Sequence, residues 1–280
     1  MPGAINLSMK NFMTFRNLVY DRCGLNFDSK KIYFVKKRVA SRMEALGIEN
    51  IEEYFRHLKF CDPKAREFQE LLNLLTTNET YMFREFEQLA VFGEECLKEV
   101  CKRKQENKNH QIRIWCAGCS TGEEAYTLAI ILKEMVESFS DWNVQILATD
   151  IDTIVLAKAK KGEYSSRSVK YVPDEYLNEY FQTTGDIFAV KSSVKKLIDF
   201  KHLNLMDIKE IESAGQFDFI FCRNVLIYFD DASRKEVVSQ FYEHLDPGGF
   251  VFLGHAESIG RISTSFSLRK MGGMIMYQKC

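Results

Sequence analysis

WCAGCSTGEEAYTLAIIL, residues 115–132, is the stretch on which the fold turns. Ile112 to Cys116 is a short apolar strand candidate, and a turn of small residues with Gly118 and Gly122 follows it. A helix then runs from Glu123 to Ser138. Glycines let a backbone come close to a ligand, and the start of a helix offers N–H groups without partners. The glycine spacing is not G-x-G-x-x-G, which weakens a dinucleotide reading. Glu123 or Glu124 stands in the first helical turn, where a carboxylate would repel a phosphate but would accept a cationic amino group or a ribose. The plainer alternative is a carboxylate that only complements the helix dipole.

The pattern repeats on the C-terminal side of this unit. Val144 to Thr149 reads as a strand ending in Asp150, followed by a helix from Ile154 to Lys161. Phe217 to Cys222 is another apolar run, Ser233 to Leu245 a helix, and Phe250 to Leu253 a strand after the turn DPGG. Strands alternating with helices imply a doubly wound, mostly parallel α/β sheet covered on both faces. Between Gly162 and Asp199 the alternation stops. A helix (Asp174 to Phe181), the turn TTGD and strand candidates Ile187–Val190 and Lys196–Phe200 suggest a small inserted subdomain.

The first hundred residues read as helices. Asp28 is an N-cap for a helix from Ser29 to Leu46, with Gly47 just past its end. Ile32, Val35, Val39 and Met43 form its apolar stripe, and Lys31, Lys37, Arg38 and Arg42 lie off that stripe. Further helices span Ile51–Leu58, Lys64–Leu75 and Glu87–Lys104. TTNETYMFRE (76–85) breaks the pattern, and the polar run KRKQENKNHQ (102–111) reads as a linker.

Composition narrows the function. The 280 residues carry a net charge of −1, with 46% hydrophobic and 28% charged residues, which suits a globular protein and argues against bulk attraction to nucleic acid. No apolar run approaches the ~20 residues of a membrane span. The first twenty residues lack the basic start and apolar run of a signal peptide. Eight cysteines without framework spacing fit a reduced, cytosolic protein.

Four constellations carry chemistry. Beyond the glycine turn, Asp150 at a strand's carboxyl end can accept hydrogen bonds from two ribose hydroxyls, or can cap the next helix in competition with Asp152. FDFIFCRNVLIYFDD (217–231) runs a strand into Arg223-Asn224 and then the aromatic pair Tyr228-Phe229; Phe229 reads as core. Arg84 in TTNETYMFRE can pair with a carboxylate through its planar fork, or with Glu79 or Glu87 as a surface ion pair. Trp115-Cys116-Ala117-Gly118-Cys119 has the form of a thioredoxin-like site, but the two glutamates that follow would raise a thiol pKa. Zinc would need a second ligand pair, and none has suitable spacing, so no metal is expected.

These motifs resemble the chemotaxis protein-glutamate methyltransferase family known as CheR, over nearly the whole chain from about Phe27 to Met276. TTNETYMFRE, CAGCSTGEEAYTLAI, ATDID, Asn204-Leu205 and FCRNVLIYFDD carry the resemblance. It implies an N-terminal helical domain (1–86) and a class I methyltransferase domain (87–280), with a β-subdomain inserted at about 162–199. It implies S-adenosyl-L-methionine as cofactor, contacted by Asn78, Thr80, Arg84, Glu123, Asp150, Asn204, Leu205, Arg223 and Asn224. Ala125 stands where many members have proline, a position alanine should tolerate. The implied reaction moves a methyl group to glutamate carboxylates of bacterial chemoreceptors, on their cytoplasmic domains, and leaves S-adenosyl-L-homocysteine.

A glutamate with a pKa near ~4.3 is already ionised at neutral pH, so no general base is required. Arg84 and Tyr228 are expected to shape the catalytic pocket rather than move protons. The basic helix with Lys31, Lys37, Arg38 and Arg42 is expected to dock the receptor. Members whose β-subdomain grips a receptor C-terminal peptide resemble one another in a longer turn than QTTGDIFAVKSS (182–193). The expectation is therefore docking through the N-terminal helix alone, without a peptide tether. Competing readings are a non-enzymatic S-adenosylmethionine sensor, a methyltransferase for another substrate, and an NAD-dependent oxidoreductase.

Overall fold

A computed structural model describes residues 7–260 and 262–280. Its strands are β1 (Gln111–Ala117), β2 (Asn143–Asp150), β3 (Glu163–Ser165), β4 (Phe181–Thr184), β5 (Ile187–Val190), β6 (Ile198–His202), β7 (Phe217–Cys222), β8 (Leu245–Leu253), β9 (Ser267–Met271) and β10 (Met274–Gln278). Seven of them form one sheet in the order β6-β2-β1-β7-β8-β10-β9. The first five pair in parallel, and β10 runs antiparallel to β8 and β9. The chain leaves β1 first to one side and later to the other, so a crevice opens at the carboxyl ends of β1 and β7.

The helices follow from the same alternation: α1 (Met9–Cys23), α2 (Ile32–Leu46), α3 (Ile51–Arg56), α4 (Arg66–Leu75), α5 (Phe86–Val91), α6 (Leu97–Glu106), α7 (Glu123–Met135), α8 (Thr153–Lys161), α9 (Asp174–Tyr180), α10 (Ser192–Lys195), α11 (Ile208–Glu212) and α12 (Asp231–His244). Every residue of β7 is buried, as a central strand covered on both faces must be. Phe219 and Phe221 meet the edge of Phe92 at 5.0 and 5.1 Å on one face. Ile220 and Cys222 join Trp115 and Phe241 of the other core.

α1 to α4 enclose a separate core of Phe12, Phe15, Val19, Val35, Val39, Met43 and Leu71. Asp28 caps a short 3₁₀ turn that leads into α2, and Gly47 closes the helix in the left-handed conformation. α1 was not singled out in the sequence, although Ser8 caps its start and Gly24 its end.

Four expectations are corrected. The strand at 198–202 is not part of the insertion; it pairs in parallel with β2 as the edge of the main sheet. The inserted sheet is instead β3-β5-β4, and Gly185-Asp186 forms a two-residue turn between Thr184 and Ile187. The polar run 102–111 is not a free linker: α6 continues to Glu106, and buried Lys104 reaches Asp218 at 2.7 Å. The DPGG sequence is a bulge within β8, since Leu245 and Phe250 pair with Phe217 and Phe219.

Arg42 is the fourth correction. Its guanidinium donates to both carboxylate oxygens of Glu67 at 3.0 and 2.6 Å, and the Tyr54 hydroxyl donates to the same carboxylate at 2.8 Å. The residue lies off the apolar stripe but faces a partner across the helical domain, so its fork is committed there rather than free on the surface. Glu67→Ala would leave Arg42 and Tyr54 without an acceptor, and is expected to destabilise the protein by about 3 kcal/mol in urea unfolding.

Candidate active site

Loops at the carboxyl ends of β1, β2, β6 and β7 form the floor of a cleft. The segments Cys23–Phe27 and Leu75–Arg84 form its roof. Gly118 has φ +85°, and a Cβ there would sit 2.4 Å from Val225 Cγ2. The Gly118 and Cys119 N–H groups both donate to the Thr149 carbonyl at 2.8 and 2.9 Å, which folds the turn back over β2.

This turn is tied to Asp150. The Ser120 N–H donates to Asp150 Oδ2 at 2.8 Å and the Asp152 N–H to Oδ1 at 2.9 Å. Burial pushes the Asp150 carboxyl up to about 6, against the lowering effect of these N–H donors. Asp152 is the cap of α8, accepting from Ile154 and Val155 N–H. The competition between the two aspartates is thereby resolved, and Asp150 lines the cleft.

Of the adjacent glutamates, Glu124 lines the cleft, which corrects the assignment of Glu123. Glu123 turns toward the insertion and accepts from the Thr121 and Ser168 hydroxyls at 2.6 and 3.1 Å. Arg223 donates to Glu124 at 2.9 Å, to Glu85 at 3.0 Å and to the Arg84 carbonyl at 2.6 Å. One buried cation thus bridges the end of β7, the first turn of α7 and the roof. Two carboxylates around one guanidinium leave a net negative charge, which suits a cationic ligand.

The remaining expected residues also line the cleft, each with its own anchor. The Asn78 side-chain amide donates to Thr76 at 3.1 Å and Asp152 at 2.9 Å, next to Thr80. Arg84 donates to the Glu79 backbone carbonyl at 2.9 Å, not to its carboxylate, and stands 5.8 Å from the Tyr81 ring centre. Asn204 donates to the carbonyl of Arg22 at 2.7 Å, beside buried Leu205. Lys31 lies 5.6 Å from the ring centre of Tyr228, whose carbonyl accepts from Asn26 N–H at 2.9 Å. Phe229 is buried, as expected of core, and also lines the cleft.

Glu257 was missed in the sequence. Its carboxylate accepts from the N–H groups of Asn224 (2.7 Å), Gly254 (2.8 Å) and Ile227 (3.2 Å). It joins the ends of β7 and β8 and holds Asn224 at φ +61°. The only sequence signal was a carboxylate three residues beyond the glycine that ends a strand. Cys116 and Cys119 are fully buried, burial pushes both thiols up, and Cys116 donates to Glu124 at 3.1 Å. This is not the environment of a redox pair. Among the described residues, no group of three or more His, Cys, Asp or Glu is arranged to hold a metal. Also among them, no helix is long and apolar enough to cross a membrane.

The sheet order and the ligand cleft at its switch point define a class I S-adenosylmethionine-dependent methyltransferase. Residues 78–274 match the CheR methyltransferase SAM binding domain, and residues 10–76 match the CheR methyltransferase all-alpha domain. The chain is similar to chemotaxis protein methyltransferase 2 of Vibrio cholerae, 40% identical over 270 residues that cover 96% of this chain and 92% of that protein. It is 37% identical over 262 residues to the chemotaxis protein methyltransferase of Borreliella burgdorferi, covering 91% and 90%. It is 32% identical over 273 residues to that of Salmonella typhimurium, covering 96% and 91%. The chain belongs to the CheR methyltransferase family, and its cofactor is S-adenosylmethionine.

Glu257→Ala removes the shared acceptor of the Asn224, Gly254 and Ile227 N–H groups. It is expected to cost about 2 kcal/mol in stability, and to weaken S-adenosylhomocysteine binding through the displaced Asn224–Tyr228 loop, both readable in thermal melts with and without that ligand.

Proposed function

We propose that this enzyme methylates glutamate side chains on the cytoplasmic domains of bacterial chemoreceptors, giving glutamate methyl esters and S-adenosylhomocysteine. The observation that carries this reading is a cleft with two tyrosines, each beside a cation. Arg84 stands at Tyr81, and Lys31 at Tyr228. Such a mouth favours an acceptor that arrives already anionic, and the relatives are chemotaxis protein methyltransferases. When bound, the cofactor supplies an electrophilic methyl group on its sulfonium.

The protein's part is binding, orientation and exclusion of water. Asp150 keeps lone pairs for two ribose hydroxyls beyond those facing Ser120 and Asp152. Glu124 takes the cationic amino group, and Arg223 fixes Glu124. Asn78, Thr80, Asn204, Leu205 and Asn224 shape the rest of the cofactor site. Arg84 and Tyr228 orient the acceptor carboxylate. A carboxylate ionised at neutral pH needs no base, so Arg84 and Tyr228 act by position.

Docking falls to Lys31 and Lys37, which are exposed on the turn leading into α2 and on α2 itself, with Arg38 half-buried beside them. Arg38 spreads over the Phe34 ring at 4.0 Å. β4 has only four residues and meets β5 through a two-residue turn, a small edge for strand addition by a receptor peptide.

Tritiated S-adenosylmethionine and receptor cytoplasmic domains test the acceptor: base-labile label is expected on the receptor. Its absence would reject glutamate as the target. Calorimetry with a receptor C-terminal peptide should show no micromolar binding. Lys37→Glu with Arg38→Glu should raise the receptor KM about fivefold and leave S-adenosylhomocysteine affinity intact.

Asp150 gives a pH test. Its carboxyl in the free enzyme titrates at about 6, and ribose donors favour the ionised form. Affinity should be full above that value and weaken as pH falls through it, approaching about tenfold per pH unit. Asp150→Asn should flatten this dependence at a weaker affinity, as read by calorimetry between neutral and mildly acidic pH.

A further inference from the structure

The roof of the cleft continues outward as a strip of rings and cations. Arg84 Cζ stands 5.8 Å from the ring centre of Tyr81. Tyr81 meets Tyr171 with ring centres 5.2 Å apart. Lys170 Nζ lies 5.2 Å from the centre of Tyr171. Tyr81 and Arg84 line the cleft, whereas Lys170 and Tyr171 belong to the insertion, between β3 and α9. Two separate segments of chain thus form one surface that begins at the active site.

The geometry of the insertion presents this surface outward. Val169 and Val172 are buried on either side of the two residues, and the Val172 N–H donates to the Val169 carbonyl at 2.9 Å. The Met82 N–H donates to the Ser168 carbonyl at 2.9 Å, which joins the insertion to the roof. The backbone is therefore pinned at both ends while Lys170 and Tyr171 point away from the core. Tyr171 is 56% exposed, a large aromatic that the core does not use. Arg167 is close by in the chain, 3.9 Å from Glu79, the acidic neighbour on this side.

We propose that the Tyr81–Tyr171–Lys170 strip, running outward from Arg84, is an acceptor-docking surface, which binds the acidic residues that flank the target glutamate. The proposal rests on the glutamate acceptor argued above. Charge complementarity selects the occupant. The strip offers ammonium and guanidinium groups spaced by two rings tilted at 45° to each other, and leads to the site where an anionic side chain must arrive. Rings add contact area at low entropic cost, and cations at exposed sites set encounter rate and register more than total affinity. Acceptor recognition then extends beyond the N-terminal helix, and a target glutamate with acidic neighbours is preferred over an isolated one.

The test uses the full chain with a receptor cytoplasmic fragment, and a second fragment whose acidic residues flanking the methylated site are changed to amides. Lys170→Glu and Tyr171→Ala are compared with the unaltered enzyme. Each is expected to raise KM for the acidic fragment about threefold to tenfold, with kcat and S-adenosylhomocysteine affinity held, and to have little effect on the amide fragment. Added salt should reduce the difference. An unchanged KM for both variants on the acidic fragment overturns the proposal. An equal rise on both fragments also overturns it, since the strip would then not be reading charge. If the unaltered enzyme places no base-labile methyl on either fragment, the acceptor class is wrong and this surface falls with it.

Discussion

Arg223 is the tie on which the site depends. Its side chain is only 2% exposed, and its fork holds Glu124, Glu85 and the Arg84 carbonyl together. A buried guanidinium without such partners would cost several kcal/mol, so the three elements that supply them must stay assembled. They are the end of the central strand, the first turn of the helix after the glycine loop, and the segment that roofs the cleft. The sheet alone would offer an open edge; Arg223 turns that edge into a cleft with two walls.

The helical domain closes the remaining side through polar contacts of the same kind. Thr76 and Asn78 reach Asp152, the cap of α8, at 2.7 and 2.9 Å. Gln69 donates to the Ile151 carbonyl at 2.7 Å, and Asn204 to the carbonyl of Arg22 at 2.7 Å. Each joins the first domain to the carboxyl edge of the sheet, next to a loop that lines the cleft. A displacement of the helical domain would therefore move Asp152, Asn204 and Tyr228 together. This couples the helical domain to the floor of the cleft.

The strand–turn–helix around Gly118, the strand ending in Asp150, and the run into Arg223-Asn224 were legible because each is local: apolar period, glycine and polar terminus follow within a few residues. What escaped depends on distance. Arg42 looks like any surface cation until Glu67 is placed opposite it. β6 follows an inserted subdomain, and only pairing with β2 shows that it belongs to the main sheet. Glu123 and Glu124 are chemically identical neighbours. Which one faces the cleft is set by the phase of α7, in which Ser168 of the insertion meets Glu123 and Arg223 meets Glu124. Beyond nearby Gly254, Glu257 acts on the backbone N–H groups of Asn224 and Ile227, 33 and 30 residues earlier in the chain, and no local pattern marks those partners.

The two arginines at the cleft divide the work by their surroundings. Arg223 is sealed among carboxylates and a carbonyl, and two guanidinium nitrogens, Nη1 and Nη2, are committed to them, so it serves the architecture and the charge of the cofactor site. Arg84 is half-buried and gives one bond to the Glu79 carbonyl. A guanidinium carries five donors in a planar fork, so Arg84 retains the geometry to receive a carboxylate side by side. Its position at Tyr81 limits how far the fork can swing, and that restriction is useful. In the reaction proposed above, an acceptor held by a flexible cation would seldom align with the methyl group, whereas one held by a cation set beside an aromatic ring would arrive with its oxygen directed into the cleft. An ionised acceptor would thus remove the need for a base and replace it with a need for orientation, the role proposed for Arg84 at the mouth of the cleft.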